Sequence, residues 1–198
     1  ARHEAVIGAG VMGAGIAQAF IENGFHVRLF SRSRSRLNDA LELIEFRQSE
    51  LVRKGAMTSR VVERSQKIIE VTTALDEAVR DVDFVSENIV ERESEKKKLF
   101  KQLGDWLPAD VMLSTNTSSL SLAPIASVVK FPERFIGLHW MNPAHLMPLV
   151  EVVRAPDTSD STVHATCELA ERLGKSPIVV NEDISGFVIN RLQYALFR

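Results

Sequence analysis

The sequence predicts an α/β fold: a mostly parallel sheet with helices on both faces. Two patterns point to it. Eight short β-branched runs alternate with longer stretches of helical period, as crossover units require. The first run leads into a glycine cluster that opens the first helical stretch, "EAVIGAGVMGAGIAQAF". With 198 residues, 45% hydrophobic and 25% charged, the chain suffices for a full α/β domain with a sizeable core.

The elements run in order along the chain. "EAVIG" (4–8) is the first strand, and a helix is expected near 11–23. "FHVRLF" (25–30) precedes helical stretches near 34–54 and 60–66. Next come "KIIEVT" (67–72) and "VDFVSE" (82–87). The charged run near 92–106 carries Leu99, Phe100, Leu103 and Trp106 at helical spacing, so most of its charges form a solvated face. "DVMLST" (110–115), "RFIGLH" (134–139) and "PLVEVV" (148–153) are further strands. A helix near 160–173, the strand "SPIVVN" (176–181) and a helical stretch at 186–198 complete the order. In that last stretch Ile189, Leu192, Leu196 and Phe197 need a partner surface, either the domain itself or a region beyond this chain. No internal repeat or low-complexity tract interrupts the alternation.

Composition removes several function classes. A formal charge of -2 gives no general attraction to nucleic acid. No apolar run approaches the roughly 20 residues that span a bilayer, so no membrane partner is expected. Glu4 interrupts the start, and no apolar core of a signal peptide comes after it. The single cysteine, Cys167 in "ATCELAERLG", forms no internal disulfide and reads as a buried structural thiol. A cytoplasmic location fits these features.

The glycine cluster Gly8-Ala9-Gly10-Val11-Met12-Gly13 reads G-x-G-x-x-G between strand and helix. Gly8 permits the turn, Gly10 lets a pyrophosphate approach the backbone, and Gly13 lets the helix lie close to the strand. At Val11 and Met12 the helix begins, offering N–H groups and a positive dipole end to phosphates. This is a Rossmann-type dinucleotide site, the other reading being a plain strand-to-helix turn. An acid is expected after the second strand to accept the ribose 2′-hydroxyl, but Ser31 and Arg32 stand there. Ser31 does not repel a 2′-phosphate, and Arg32, with Arg34, has the charge to pair with one. On that chemistry the cofactor is NAD(P), with NADP favoured. Alternatively Arg32, Arg34 and Arg36 only decorate an exposed helix start.

A second constellation lies in "STNTSSLSLAPIA" (114–126) and "GLHWMNPAHLMPLVEVV" (137–153). It supplies Ser118, His139, Asn142 and Glu151: a hydroxyl, a base, an amide and a carboxylate. His139 ends a strand, where α/β sheets hold ligands. A carboxylate on a neighbouring strand orients its imidazole and raises its proton affinity. Such a set suits taking a proton from an alcohol while hydride leaves for nicotinamide. A serine hydrolase would need G-x-S-x-G, absent around Ser118. His139, His145 and Glu151 match no metal-ligand spacing, and no metal is expected. A satisfied core histidine remains the bland alternative for His139.

The segments "VIGAGVMGAGIAQAF", "STNTSSLSL", "RFIGLHWMNPAHLMPLVEVV" and "GFVINRLQ" together resemble the L-3-hydroxyacyl-CoA dehydrogenase family, including the 3-hydroxybutyryl-CoA dehydrogenases. The resemblance implies an oxidoreductase interconverting an L-3-hydroxyacyl group and its 3-oxo form. It implies that His139 is the base and Glu151 its paired carboxylate. Ser118 and Asn142 then contact the substrate oxygen and the nicotinamide region, and Asn190 is a further active-site amide. Glu91 and Lys96 match acidic and basic positions near cofactor and CoA, although Lys96 also reads as an exposed lysine of a charged helix. Residues 1–184 are expected to form the NAD(P)-binding domain, and 185–198 the start of a link to a C-terminal helical domain. Homodimerisation through that domain is implied. The family usually has an acid where Ser31 stands, so its NAD preference does not transfer. "GFVINRLQYAL" is similar to the lambda-crystallin and L-gulonate 3-dehydrogenase branch, which acts on free hydroxy acids, whereas "STNTSSL" is similar to the acyl-CoA branch. A non-catalytic nucleotide-binding or structural protein of the same fold is the rival from another class.

Overall fold

The computed structural model describes residues 3–197. The chain divides into two compact units. One comprises the chain through Asn88 together with Asn142–Leu146; the other comprises Ile89–Met141 and the chain from Met147 onward.

The first unit holds β1 (His3–Ile7), α1 (Val11–Glu22), β2 (His26–Phe30), α2 (Arg34–Arg53), α3 (Ser59–Gln66), β3 (Ile69–Thr72), α4 (Leu75–Ala78) and β4 (Phe84–Glu87). Its strands run in the order β3-β2-β1-β4, and every pair is parallel. β1 is buried continuously from Glu4 to Ile7, as a central strand covered on both faces must be. Small residues let α1 bury nearly its whole circumference, Gly13 through Ile21. α2 is amphipathic: only Leu37, Ala40, Ile44 and Gln48 are buried, a single stripe. Its first turn is capped by Ser33, whose hydroxyl oxygen accepts from the Arg36 amide at 3.4 Å.

The second unit holds α5 (Glu93–Trp106), β5 (Met112–Thr115), α6 (Ala123–Ala126), a 3-10 turn (Pro132–Arg134), β6 (Phe135–Trp140), β7 (Leu149–Arg154), α7 (Asp160–Arg172), β8 (Ser176–Val180) and α8 (Ile189–Leu196). The strand order is β5-β6-β7-β8. β5 pairs with β6 and β7 with β8 in parallel, but β6 and β7 are antiparallel. The reason is chain length: residues 141–148 are too few for a parallel crossover, which takes about a dozen. Arg134 is buried and its guanidinium donates to the carbonyls of Leu107, Val111, Pro108 and Lys130, gathering the end of α5 and the start of β5 around one cation. Burial lowers its pKa from the ordinary arginine value.

All eight predicted strands are present, and the mostly parallel α/β class stands. The four-residue helices α4 and α6 and the 3-10 turn lie below the length at which helical period is legible. Cys167 is only half-buried, and burial together with nearby Glu171 raises its thiol pKa. Leu192, Leu196 and Phe197 of the last stretch stay open: none of α8 is buried, and Leu196 and Phe197 are 84% and 80% exposed.

Candidate functional site

In the first unit the glycine turn is built as close approach demands. Gly8 has φ +113 and donates its amide to the Phe30 carbonyl at 2.9 Å, tying the turn to the end of β2. A Cβ on Gly13 would stand 1.8 Å from the Gly8 carbonyl oxygen, so only glycine lets α1 start here. Gly10 is exposed, with open space where a Cβ would point. It caps α1 without a side-chain acceptor, leaving first-turn N–H groups at Val11 and Met12 available. Val11 is exposed and Met12 half-buried. These residues fit a dinucleotide pyrophosphate: an uncapped helix start, a positive dipole end and no side chain in the way.

Ser31 comes directly after β2 and is half-buried. Its amide donates to the Thr72 carbonyl at 3.3 Å, and its hydroxyl oxygen accepts from the Ser33 amide at 3.3 Å. Arg32 is exposed and makes no hydrogen bond or ion pair among the described residues. Arg34 and Arg36, in the first turn of α2, are exposed too. Asn142 is exposed and belongs to this first unit.

In the second unit His139 and Glu151 are register partners across the antiparallel pair. The imidazole Nδ1 lies 2.7 Å from Glu151 Oε2, with His139 4% exposed and Glu151 fully buried. An ionised carboxylate only accepts, so Nδ1 carries the proton of the neutral ring and Nε2 keeps its lone pair. Nε2 has no partner among the described residues. The other oxygen of Glu151, Oε1, accepts the amides of Val188 at 2.8 Å and Ile189 at 3.0 Å. Burial acts to raise the carboxyl pKa, but the His139 bond, the two amides and the imidazole's charge outweigh it, holding Glu151 below the ordinary carboxylate range.

Ser118 sits on an exposed turn after β5. Its carbonyl accepts from the Asn190 side-chain amide at 3.1 Å, so the structure brings these two predicted residues together. Beneath that turn lies Glu91. Its Oε1 accepts from the Thr117 hydroxyl and from the amides of Ser118 at 2.9 Å and Ser119 at 3.3 Å. Its Oε2 lies 3.4 Å from Lys96 Nζ. Burial raises the Glu91 pKa, but the Thr117 hydroxyl, the Lys96 charge and the two amides lower it more. Lys96 is not the solvated lysine of a charged helix: its side chain is 0% exposed and aimed at Glu91. The charge-rich flanks of Lys96 hid this, since α5 buries it beside Leu99 and Phe100. Thr117 was not legible as a partner, because nothing in "STNTSS" distinguishes it from its hydroxyl neighbours. Among the described residues no group of acids, histidines and cysteine could hold a metal.

The fold and its glycine turn are those of a dinucleotide-binding α/β domain, here continued by a chain segment that carries a buried histidine–carboxylate pair. Residues 3–184 match the family described as 3-hydroxyacyl-CoA dehydrogenase, NAD binding domain, and the chain belongs to that family. It is similar to a probable 3-hydroxybutyryl-CoA dehydrogenase of Deinococcus radiodurans, 42% identical over 187 residues, covering 94% of this chain and 66% of that protein. Among solved structures, it resembles 3-hydroxybutyryl-CoA dehydrogenase from Escherichia coli K12, with TM-score 0.93 and 40% identity over 96% of this chain and 40% of that one. It also resembles (S)-3-hydroxybutyryl-CoA dehydrogenase PaaH1 from Ralstonia eutropha, with TM-score 0.94 and 33% identity over 98% of this chain and 68% of that one. The chain spans between 26% and 66% of the length of the curated relatives it matches. No helix among the described residues is long and apolar enough to cross a membrane.

Proposed function

We propose that the protein is an NAD(P)-dependent dehydrogenase interconverting an L-3-hydroxyacyl-CoA and its 3-oxo form, with His139 as general base. The observation that carries this reading is the buried His139–Glu151 pair, which directs the proton of the neutral ring to Nδ1 and leaves Nε2 open. In the oxidation direction Nε2 accepts the hydroxyl proton as the carbon–oxygen double bond forms. A bound nicotinamide supplies the acceptor for the hydride lost from the same carbon. Glu151 stabilises the imidazolium across 2.7 Å. The hydroxyl of Ser118 and the amides of Asn142 and Asn190 orient the oxygen and stabilise its developing charge. Reduction runs these steps backward, with the imidazolium returning the proton. General-base help of this kind is worth on the order of 10²–10⁴ in rate.

The cofactor is held, in this reading, by Gly8, Gly10, Gly13 and the amides at Val11 and Met12. Glu91 and Lys96 support it through the Ser118 turn. The exposed Arg32 beside the neutral Ser31 supports a preference for NADP, while the family itself is an NAD-binding one. The relatives' names favour a CoA thioester over a free hydroxy acid. Residues 1–184 act as the cofactor and catalytic domain, and 185–198 begin the link to a helical domain through which a cytoplasmic homodimer assembles. The test is the absorbance of reduced nicotinamide on mixing the protein with a 3-oxoacyl-CoA or the matching free 3-oxo acid. Consumption with the thioester is expected. Turnover of the free acid alone moves the protein to the lambda-crystallin-like branch, and none with either leaves a nucleotide-binding protein without this catalysis.

A further inference from the structure

Residues 183–190 touch both parts of the candidate site. At one end Asp183 Oδ2 accepts from the Ser121 hydroxyl at 2.6 Å and from the amides of Leu122 at 2.7 Å and Ala123 at 2.9 Å. At the other end Asn190 donates to the Ser118 carbonyl at 3.1 Å. Between them Val188 and Ile189 donate to Glu151, and the ring of Phe187 packs on the imidazole of His139, with centroids 5.4 Å apart and planes at 60°. Four grips thus fall within eight residues, two on the turn bearing Ser118 and two on the histidine–carboxylate pair.

Phe187 is the residue for which the proposed chemistry has no use. It is 0% exposed and its backbone sits at φ +47, directly after Gly186 at φ +77. A phenylalanine in the left-handed region is uncommon and is retained only where its surroundings hold it there. Here two left-handed residues in succession turn the chain so that the ring meets His139 while the next two amides meet Glu151. The hydrogen bond to Glu151 fixes Nδ1, but it leaves the ring free to rock about that bond. An aromatic ring packed on the imidazole removes that freedom and keeps water from its covered side.

We propose that residues 183–190 form a strap holding the base and the Ser118 turn in register, with Phe187 the positioning residue for the imidazole. Phe187 acts through His139 and touches neither substrate nor cofactor. The proposal rests on the dehydrogenase reading for its catalytic consequence, but not for its structural one.

The test therefore has two arms. Nitrogen NMR of this chain labelled at histidine reads the tautomer of His139 directly. The wild type is expected to show one tautomer, protonated at Nδ1. Phe187→Ala is expected to keep the proton on Nδ1 but to broaden the ring signals as the imidazole rocks about its bond to Glu151, with Phe187→Leu intermediate because it restores part of the bulk. A Phe187→Ala chain that is folded and keeps the sharp wild-type pattern overturns the strap. Should Phe187→Ala not fold, Phe187→Leu decides, and an unchanged pattern overturns the proposal equally. In the second arm, turnover of a 3-oxoacyl-CoA should fall about tenfold in kcat with KM within twofold, and Phe187→Leu should recover part of it. A loss confined to KM contradicts positioning. A wild type with no turnover but a ring-nitrogen response to Phe187→Ala refutes the dehydrogenase reading and leaves the strap standing.

Discussion

Replacing Glu151 by Gln keeps the shape of the side chain and removes its charge, and the hydrogen bonds around it fix the consequence. Oε1 accepts two amides, at 2.8 and 3.0 Å, and only an oxygen serves there. The carboxamide is therefore forced to present its NH2 to His139 Nδ1. The imidazole must then accept at Nδ1, and its proton moves to Nε2, the atom that needs to be empty. Two losses combine. An imidazolium and a carboxylate with charge centres about 4 Å apart attract by about 4 kcal/mol at an effective dielectric of about 20. That is roughly a thousandfold in rate. The wrong tautomer alone is worth up to about 10⁴ in comparable triads. The two share a cause, so Glu151→Gln should lower kcat by about 10³–10⁴ with cofactor affinity nearly unchanged. Loss of charge from bonds to a fully buried acceptor should also destabilise the fold by about 1.5–3 kcal/mol. The sign with pH is set by the lowered pKa of Glu151. A depressed carboxyl stabilises above its unfolded pKa and loses that contribution as pH falls through the folded value. The stability gap between wild type and variant should therefore close on acidification below about pH 4. Steady-state kinetics, nitrogen NMR of His139 and melts across pH measure these. A variant within tenfold of wild-type kcat, with Nδ1 still protonated, refutes the reasoning.

Further outcomes are expected elsewhere in the chain. His139→Gln should lower turnover by about 10²–10⁴ and leave dinucleotide binding intact by calorimetry, since the base is needed for proton transfer alone. Gly13→Ala should abolish dinucleotide binding in calorimetry, because its Cβ would press 1.8 Å from the Gly8 carbonyl oxygen and open the turn. Arg32→Ala should weaken NADP several-fold without touching NAD, while Ser31→Asp should turn the preference toward NAD; dissociation constants of both cofactors decide it, and a wild type that binds NAD more tightly rejects the preference. Lys96→Met should be tolerated in the fold but loosen the Ser118 turn, read as faster amide hydrogen exchange at Ser118 and Ser119.

The features legible from the residues had a periodic or chemical signature. Strands declared themselves through β-branched runs, and α2 through one apolar stripe. His139 and Glu151 were legible as residue types, and the short stretch 141–148 held the clue that their strands pair antiparallel. Lys96 was misleading, because burial of a lysine depends on a partner five residues away and a turn twenty-odd residues on, which no local pattern encodes. Phe187 and Asp183 were illegible for the same reason. Their partners lie far off in the chain, and "EDISGF" looks like an ordinary loop. Backbone donors that meet a side chain, as Val188 and Ile189 meet Glu151, carry no sequence signal at all.

The antiparallel pairing of β6 and β7 sets how this chemistry tolerates change. His139 faces Glu151 because the ladder's rungs align them, from Ile136 with Arg154 to Trp140 with Val150. Residues 141–148 return the chain for that pairing, but Asn142–Leu146 belong to the first unit and Ala144 is buried there, so their composition answers to that packing and not to the ladder. A single-residue slip of the ladder is a different matter, since it sends every side chain on the strand to the opposite face. An insertion inside either strand, however conservative in residue type, thus disconnects proton transfer at a stroke.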